Sequence, residues 1–467
     1  MTDDKNKKLS LLTYLSYGLA YGSGFQIMHG IVGSYLMVFL TDTFGVPAAA
    51  VGAIMLLASV WDAINDPLMG VLADKTKTRF GRYRPYLLIV PFLLAVVDVC
   101  LFLSPNLSNH GKIVWTAVFY VLYGMLRTAF EIPCNALINA VTNKENERQK
   151  LISTYTFTMG IFTTITTSFA LTFVTLFGGE NTAKGYVIVM AIAGLCTIAS
   201  SLACFFATKE RFVAPVANHA LIEQLKKLVH VKGLVVAVVI WLAGYVGYNI
   251  MMASSVYYVL YCLCRPDLIS LYMLTISICG LLGISLFIPV FMRIFGSVKR
   301  CFAVSQVGTF VCNALCIFLG SSVPAIFVFS GLGCLFATMF MVFGAMFMTE
   351  MADAAYAETG IMMNGTIAAL KGFTNKCGMA LSNGIIGGTL AATGYIANAI
   401  GHEPIETIRG ITAVRFAIPA VMALVIVIAI RFYPITEEMK KAFRAKAAAA
   451  GEGSAGGFEK EAVNASC

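Results

Sequence analysis

Residues 61–85 read WDAINDPLMGVLADKTKTRFGRYRP. Asp62, Asn65 and Asp66 stand at i, i+3 and i+4, so in a helix all three oxygen-bearing side chains share one face. The stretch before them, AAAVGAIMLLASV at 48–60, is apolar, and Pro67 follows directly. Lys75, Lys77, Arg79, Arg82 and Arg84 come next. A carboxylate at bilayer depth costs roughly 2.5–3.5 kcal/mol on insertion scales, which makes such a residue a functional candidate. Two carboxylates one turn apart repel unless a cation or a proton intervenes. Oxygen ligands of this kind suit a small cation or a shared proton. The plainer reading puts one Asp at the membrane interface, paired with a basic side chain.

The surroundings are those of a membrane protein. Of 467 residues, 58% are hydrophobic and 12% charged, where a soluble domain carries about 25% charge. The apolar residues fall in long runs, which points to a polytopic helical chain. The N-terminus, MTDDKNKKLS, is polar and leads into such a run with no small-residue cleavage pattern. It is read as the start of a retained first helix. The net charge of +9 gathers in short loops, so it reports topology and not nucleic-acid binding. The 13 Cys residues lie mostly in apolar runs without metal spacing and are read as small core side chains.

Twelve spans are expected, near 11–40, 47–73, 85–103, 113–141, 151–177, 185–207, 233–263, 268–294, 301–320, 322–349, 362–398 and 412–431. With both termini cytoplasmic, 25 of the 33 Lys and Arg residues fall on the cytoplasmic side and 5 on the other, with Arg415 among the 5. Arg127, Lys371 and Lys376 lie within spans. That bias orients the chain and requires an even number of crossings. The polar stretch 208–232 divides the spans six and six. In it Leu221, Ile222, Leu225, Leu228 and Val229 recur at helical spacing, as in a helix on the membrane surface. QIMHGIVGSYLMVFL from Gln26 matches NIMMASSVYYVLYCL from Asn249 at a constant offset. The expected fold is therefore all-α, with twelve transmembrane helices in two six-helix halves, the major facilitator architecture. Its site lies between the halves near the midplane. The expected units are a bundle at 1–207, a linker at 208–232, a second bundle at 233–433 and a disordered tail at 434–467.

Other polar residues within the spans complete the candidates. Arg127, Thr128 and Glu131 occupy RTAFE in the fourth span. Arg127 and Glu131, four apart, either pair with each other or serve a substrate, and Thr128 can add an oxygen ligand. In the eleventh span, Lys371 can snorkel to the surface, while Lys376 lies deeper. Asp98 and His29 either face a central cavity or hold a polar contact between helices. Trp61 and Trp241 read as packing or interface anchors. Tyr17, Tyr21, Tyr35, Tyr245, Tyr248 and Tyr258 suit a wet cavity between spans 1 and 7.

The run DAINDPLMG followed by TRFGRYRP resembles the hallmark of the glycoside–pentoside–hexuronide:cation symporters. The likeness covers almost the whole chain: LSYG in span 1, GMLRTAFEIP in span 4, NKENER after it, and KGF in span 11. It implies that Asp62, Asn65, Asp66 and Thr128 form a site for a monovalent metal cation or proton, with Na+, Li+ or H+ as coupling ion. It implies that Glu131 occupies an acidic sugar-binding position, conservatively changed, and that Lys376 matches a family lysine on span 11; Lys376 is read as a substrate-binding candidate. Tyr21, Asn135 and Thr156 stand where the melibiose carrier of that family has a Lys–Asp pair, a Trp and an Arg, so a galactoside site is not reproduced. The segment MADAAYAETG after span 10, read as a loop, lacks an Arg of the family pattern.

The expected activity is cation-coupled import of a sugar, glycoside or uronide by alternating access. Arg127 and Lys376 keep open a non-sugar amphipath or organic anion carried on the same fold. No catalytic constellation and no cofactor is expected, so the chain is not read as an enzyme. The expected partners are a small molecule, a monovalent cation and the lipid of an inner membrane, with no nucleic acid and a monomeric state.

Overall fold

In lipid the backbone must satisfy its own hydrogen bonds, and a helix does so within one segment. In a computed structural model, residues 9–142, 144–212, 231, 233–319, 322–359 and 364–433 are described. Among them the apolar runs form α1 (Leu11–Thr43), α2 (Ala48–Lys75), α3 (Arg84–Leu101), α4 (Asn109–Val141), α5 (Glu145–Gly178) and α6 (Thr182–Ala207). The second set is α7 (Leu234–Cys262), α8 (Pro266–Phe295), α9 (Val298–Phe318), α10 (Val323–Thr359), α11 (Asn364–Ala392) and α12 (Ile405–Arg431). Eleven of the twelve combine the length and hydropathy needed to cross a membrane. The remaining one, α11, is 29 residues long and carries Lys371, Asn375, Lys376 and Asn383. Its polarity fits its place: it packs along α2 and α7, inside the bundle.

Several boundaries differ from the sequence reading. MADAAYAET is not a loop, because α10 runs on through Thr359. The segment is rich in Ala and free of Pro and Gly up to that point, so nothing in it ends a helix. The fifth and twelfth helices start earlier than expected, at Glu145 and Ile405. The expected surface helix at 221–229 and the tail from 434 lie outside the described residues.

α1 is broken at Ser23, whose φ and ψ are −102° and −109°. Its Oγ donates to the Leu19 carbonyl at 2.5 Å. The glycines on either side allow close packing: a Cβ on Gly22 would lie 2.8 Å from the Met159 nitrogen of α5, and one on Gly24 would overlap the α6 backbone at Ala193 and Thr197. Small residues at such crossings are the usual means of bringing membrane helices together.

The internal repeat is present, in a corrected register. α1 and α7 both end in a five-residue widened turn, Phe39–Thr43 and Tyr258–Cys262. Phe44 N bonds to the Phe39 carbonyl and Val46 N to that of Leu40. Leu263 N and Arg265 N make the same bonds to Tyr258 and Val259. These pairs are 219 residues apart, whereas the sequence match has an offset of 223. Four residues is about one helical turn, so a slip of one turn leaves the apolar face in place and the sequence match cannot detect it.

The two ends of the bundle are built differently. At one end, Glu210 after α6 accepts from the backbone N–H groups of Arg82, Tyr83 and Arg84 at 2.7, 2.7 and 2.9 Å. An anion thus caps the N-terminus of α3. Gly81, at φ +111°, is required there, since its Cβ would collide with the Glu210 carboxylate. Arg84 donates to the Phe205 carbonyl at 2.6 Å and lies over the Phe205 ring. The basic motif therefore ties α2–α3 to α6 within the first half. A cavity of about 680 Å³ opens at this end beside Leu11, Tyr14, Asn146, Lys150, Ser153 and Thr154.

At the opposite end the two halves close on each other. α2 and α11 cross so tightly that a Cβ on Gly387 would lie 2.7 Å from the Gly52 Cα. Thr167 and Thr172 of α5 meet Ser277 and Ser270 of α8 at 3.0 and 2.8 Å. Thr41 of α1 meets Tyr257 of α7 at 3.1 Å.

Candidate cation and substrate site

The helix brings Asp62, Asn65 and Asp66 onto one face of α2, as their spacing requires, and that face meets α4 and α11. Thr128 of α4 donates to Asp66 Oδ1 at 2.8 Å. Lys376 of α11 forms an ion pair with Asp66 Oδ2, so this carboxylate is held from both halves at once. Asp62 packs against Gly124 of α4, where an added Cβ would lie 2.5 Å from Asp62 Oδ1. That oxygen is buried and has no hydrogen-bond partner among the described residues. Asn65 is buried, with its amide nitrogen also unpartnered. Unfilled polar atoms in so dry a place are costly unless a ligand meets them. Two carboxylates, an amide and a hydroxyl supply hard oxygen donors of the kind a small monovalent cation takes.

The second cluster adjoins it on α4. Arg127 pairs with Glu131 at 3.4 Å, one helical turn away. Tyr21, just before the α1 break, donates its hydroxyl to Glu131 Oε1 at 2.9 Å. Tyr155 of α5 meets the Tyr21 ring edge-on, with centroids 5.2 Å apart. Asn135, one turn beyond Glu131, and Thr156, next to Tyr155, are exposed. The structure thus joins Tyr21, Arg127 and Glu131 directly. Lys376 is placed with the carboxylates of α2 and not with Glu131.

The two clusters form one electrostatic unit. Lys376, Arg127, Asp66 and Glu131 all lie within electrostatic reach of Asp62. With every group ionised, three carboxylates face two cations, which leaves one uncompensated negative charge.

Several other candidates spend their polar atoms on contacts between helices. Tyr17 and Tyr35 spend their hydroxyls on the carbonyls of Cys134 and Thr167, at 2.9 and 2.6 Å. His29 Nδ1 meets the Tyr123 hydroxyl at 3.1 Å. Asp98 is wholly buried between helices, with neither oxygen hydrogen-bonded among the described residues. Trp241 is buried and donates to the Gly344 carbonyl at 3.0 Å, while Trp61 is exposed on the apolar outer surface.

Arg415 requires a correction. The charge count sets it on the outer side, but it is fully buried in α12. Its Nη2 donates to the Tyr272 hydroxyl at 2.7 Å, and the guanidinium lies 4.7 Å over the Phe416 ring. α12 begins at Ile405, seven residues before the expected 412, which sets Arg415 ten residues into the helix instead of three. A second group missed in the sequence is the Asp42 carboxylate, which accepts from Tyr261 at 2.5 Å and from Tyr395. Its partners are 219 and 353 residues away, so no local pattern marks it.

Twelve helices in two repeated halves, closed at one end and open at the other around a shared charged site, define a membrane transporter rather than an enzyme. The chain belongs to the MFS/sugar transport protein family, which it matches over residues 16–437. It is 29% identical over 445 residues to the inner membrane symporter YicJ of Escherichia coli (strain K12), across 92% of this chain and 94% of that one. It is 28% identical over 450 residues to the glucuronide carrier protein homolog of the same organism, across 93% and 95%. A solved D-xylose–proton symporter has the same fold, with a TM-score of 0.60 at 16% identity over 89% of this chain and 96% of that one. The resemblance to glycoside–pentoside–hexuronide:cation symporters is borne out.

Proposed function

We propose that this protein is a cation-coupled symporter that imports a sugar, glycoside or uronide by alternating access, as a monomer with both termini cytoplasmic. The observation that carries the coupling is Asp66, held by Thr128 from its own half and by Lys376 from the other. An arriving Na+, Li+ or H+ competes with the Lys376 ammonium for that carboxylate. It also relieves the repulsion between Asp66 and the unpartnered Asp62 oxygen. The single uncompensated charge favours one monovalent cation per cycle. Cation binding then alters a contact between the halves, and such a differential contact is what coupling to a conformational equilibrium requires.

For the substrate, the Arg127–Glu131–Tyr21 group offers donors and acceptors beside the Tyr155 ring. That chemistry suits hydroxyls set on an apolar ring face. Arg127 already has its carboxylate partner, which favours a neutral sugar or glycoside. A uronide fits if its carboxylate displaces Glu131, and the kinship with a glucuronide carrier homolog supports testing one. The basic loops favour a cytoplasmic 75–84 end, with the closed end outside. The YicJ kinship favours an inner membrane.

The test is uptake into proteoliposomes with imposed Na+ or H+ gradients across a panel of sugars, glycosides and uronides. We expect uphill accumulation with one of these ions. Asp62→Cys and Asp66→Cys should each abolish gradient-driven accumulation while the protein still inserts. Uphill uptake at the wild-type level in both variants would remove the cation-site assignment.

A further inference from the structure

Asp42 lies in the widened turn that ends α1, and Tyr261 lies at the matching place in the turn that ends α7, 219 residues on. The two are thus repeat-related, one from each half, and they bond to each other: the Tyr261 hydroxyl donates to Asp42 Oδ2 at 2.5 Å. The contact therefore sits where the axis relating the halves meets the closed end.

The segment after α11 completes the contact. Tyr395 donates to Asp42 Oδ1, and its hydroxyl lies 2.9 Å from that of Tyr261. Asn398 donates its side-chain Nδ2 to the Asp42 carbonyl at 2.6 Å and its backbone N–H to the Tyr261 hydroxyl at 3.2 Å. Asn398 is held at φ +63°, in the left-handed region. A non-glycine residue kept there marks backbone fixed by its surroundings. Thr41 Oγ1 lies 2.7 Å from Asp42 Oδ1 and 3.1 Å from the Tyr257 hydroxyl. A cavity of about 320 Å³, lined in part by Thr41, Pro47, Leu390 and Tyr395, lies against the cluster. Burial, then Tyr257 and the Asp42 carboxylate, push the Tyr395 hydroxyl pKa upward, so it remains a proton donor.

We infer that Asp42 is the latch of this end: its carboxylate, gripped by Tyr261 and Tyr395 of the other half, with its backbone carbonyl held by Asn398, keeps the transporter in the conformation with this end shut. No part of the proposed cation or sugar site is involved. Four of these bonds cross between the halves, those of Tyr261, Tyr395 and Asn398 to Asp42 and that of Thr41 to Tyr257, so opening this end breaks them together. Hydrogen bonds to an ionised acceptor are about twice as strong as neutral ones. A neutral amide in place of the carboxylate weakens the latch while keeping its shape. The inference rests on the alternating-access reading but on neither the cation nor the substrate.

The test is hydrogen–deuterium exchange of the full-length protein in lipid nanodiscs, with no sugar or gradient supplied, comparing wild type with Asp42→Asn and Tyr395→Phe. Peptides over 39–46 and 257–264 report the latched end, and peptides over 11–16 and 147–155 report the opposite one. We expect exchange at the latched end to rise by about tenfold in Asp42→Asn, and by less in Tyr395→Phe, while the opposite end becomes more protected. That reciprocal pattern is a shift between two conformations. Unchanged exchange at the latched end in both variants would overturn the inference. So would faster exchange at both ends, which would make the cluster a support for the fold alone. Should the proposed ion coupling fail in uptake assays, this measurement retains its meaning.

Discussion

At the scale of single residues, Gly124 shows how a site can depend on an atom that is not there. Alanine normally favours a helix over glycine by about 1 kcal/mol. At this position the methyl group would fall 2.5 Å from Asp62 Oδ1 and push the carboxylate aside. We therefore predict that Gly124→Ala leaves Tm unchanged or raised but weakens apparent cation affinity by about tenfold, on the order of 1.4 kcal/mol. Uptake measured against cation concentration gives the answer, and a wild-type half-saturation value would refute it. Arg415 supplies the converse case, a buried charge whose shape matters. Lysine cannot both reach the Tyr272 hydroxyl and lie flat on Phe416. Arg415→Lys should cost about 1–2 kcal/mol and lower Tm; an unchanged thermal transition would contradict this. Asp62, Asn65 and Asp66 were legible because helical periodicity alone puts them together. The pairing of Asp66 with Lys376 was not, because it depends on how two distant helices cross.

At the scale of elements, the break in α1 is set by Gly22-Ser23-Gly24. A Cβ on Gly24 would strike the α6 backbone, which cannot rotate away as a side chain can. We predict that Gly24→Ala lowers stability by about 1–3 kcal/mol, read as a reduced Tm of the purified protein. Gly33 of the same helix has open space around it. Gly33→Ala serves as the control and should be neutral or slightly stabilising, since alanine favours a helix; an equal loss there would show that the Gly24→Ala loss does not report the contact with α6. The break was hidden in the sequence because LSYGLAYGSGF reads as a continuous small and apolar run. The extension of α10 was hidden for a related reason: hydropathy marks where lipid ends, not where the helix does. The widened turns at the ends of α1 and α7 leave no compositional trace, since they are formed by backbone bonds and not by particular side chains.

At the scale of the whole molecule, the fold was legible in charge and hydropathy. Basic loops gave the parity of crossings, apolar runs gave the spans, and the polar stretch at 208–232 fell between six helices and six. Which end is shut was not legible, because that depends on contacts such as Thr172–Ser270 and Asp42–Tyr261 between halves that the chain does not join locally. The imbalance of three carboxylates over two cations in the central site reaches beyond binding to the membrane potential. On the proposed one-cation stoichiometry with a neutral substrate, a loaded site carries no net charge, so its passage across the field does no electrical work. An empty site carries one negative charge, and an interior-negative voltage drives it to face outward, by up to about 2.3 kcal/mol per 100 mV. We predict that a valinomycin-imposed, interior-negative potential accelerates net uptake, which needs the empty carrier to return, and leaves exchange of loaded carriers unaffected. Equal voltage dependence of the two would place the moving charge on the loaded carrier instead. On this account the membrane potential resets the empty carrier, and the cation gradient drives the loaded one.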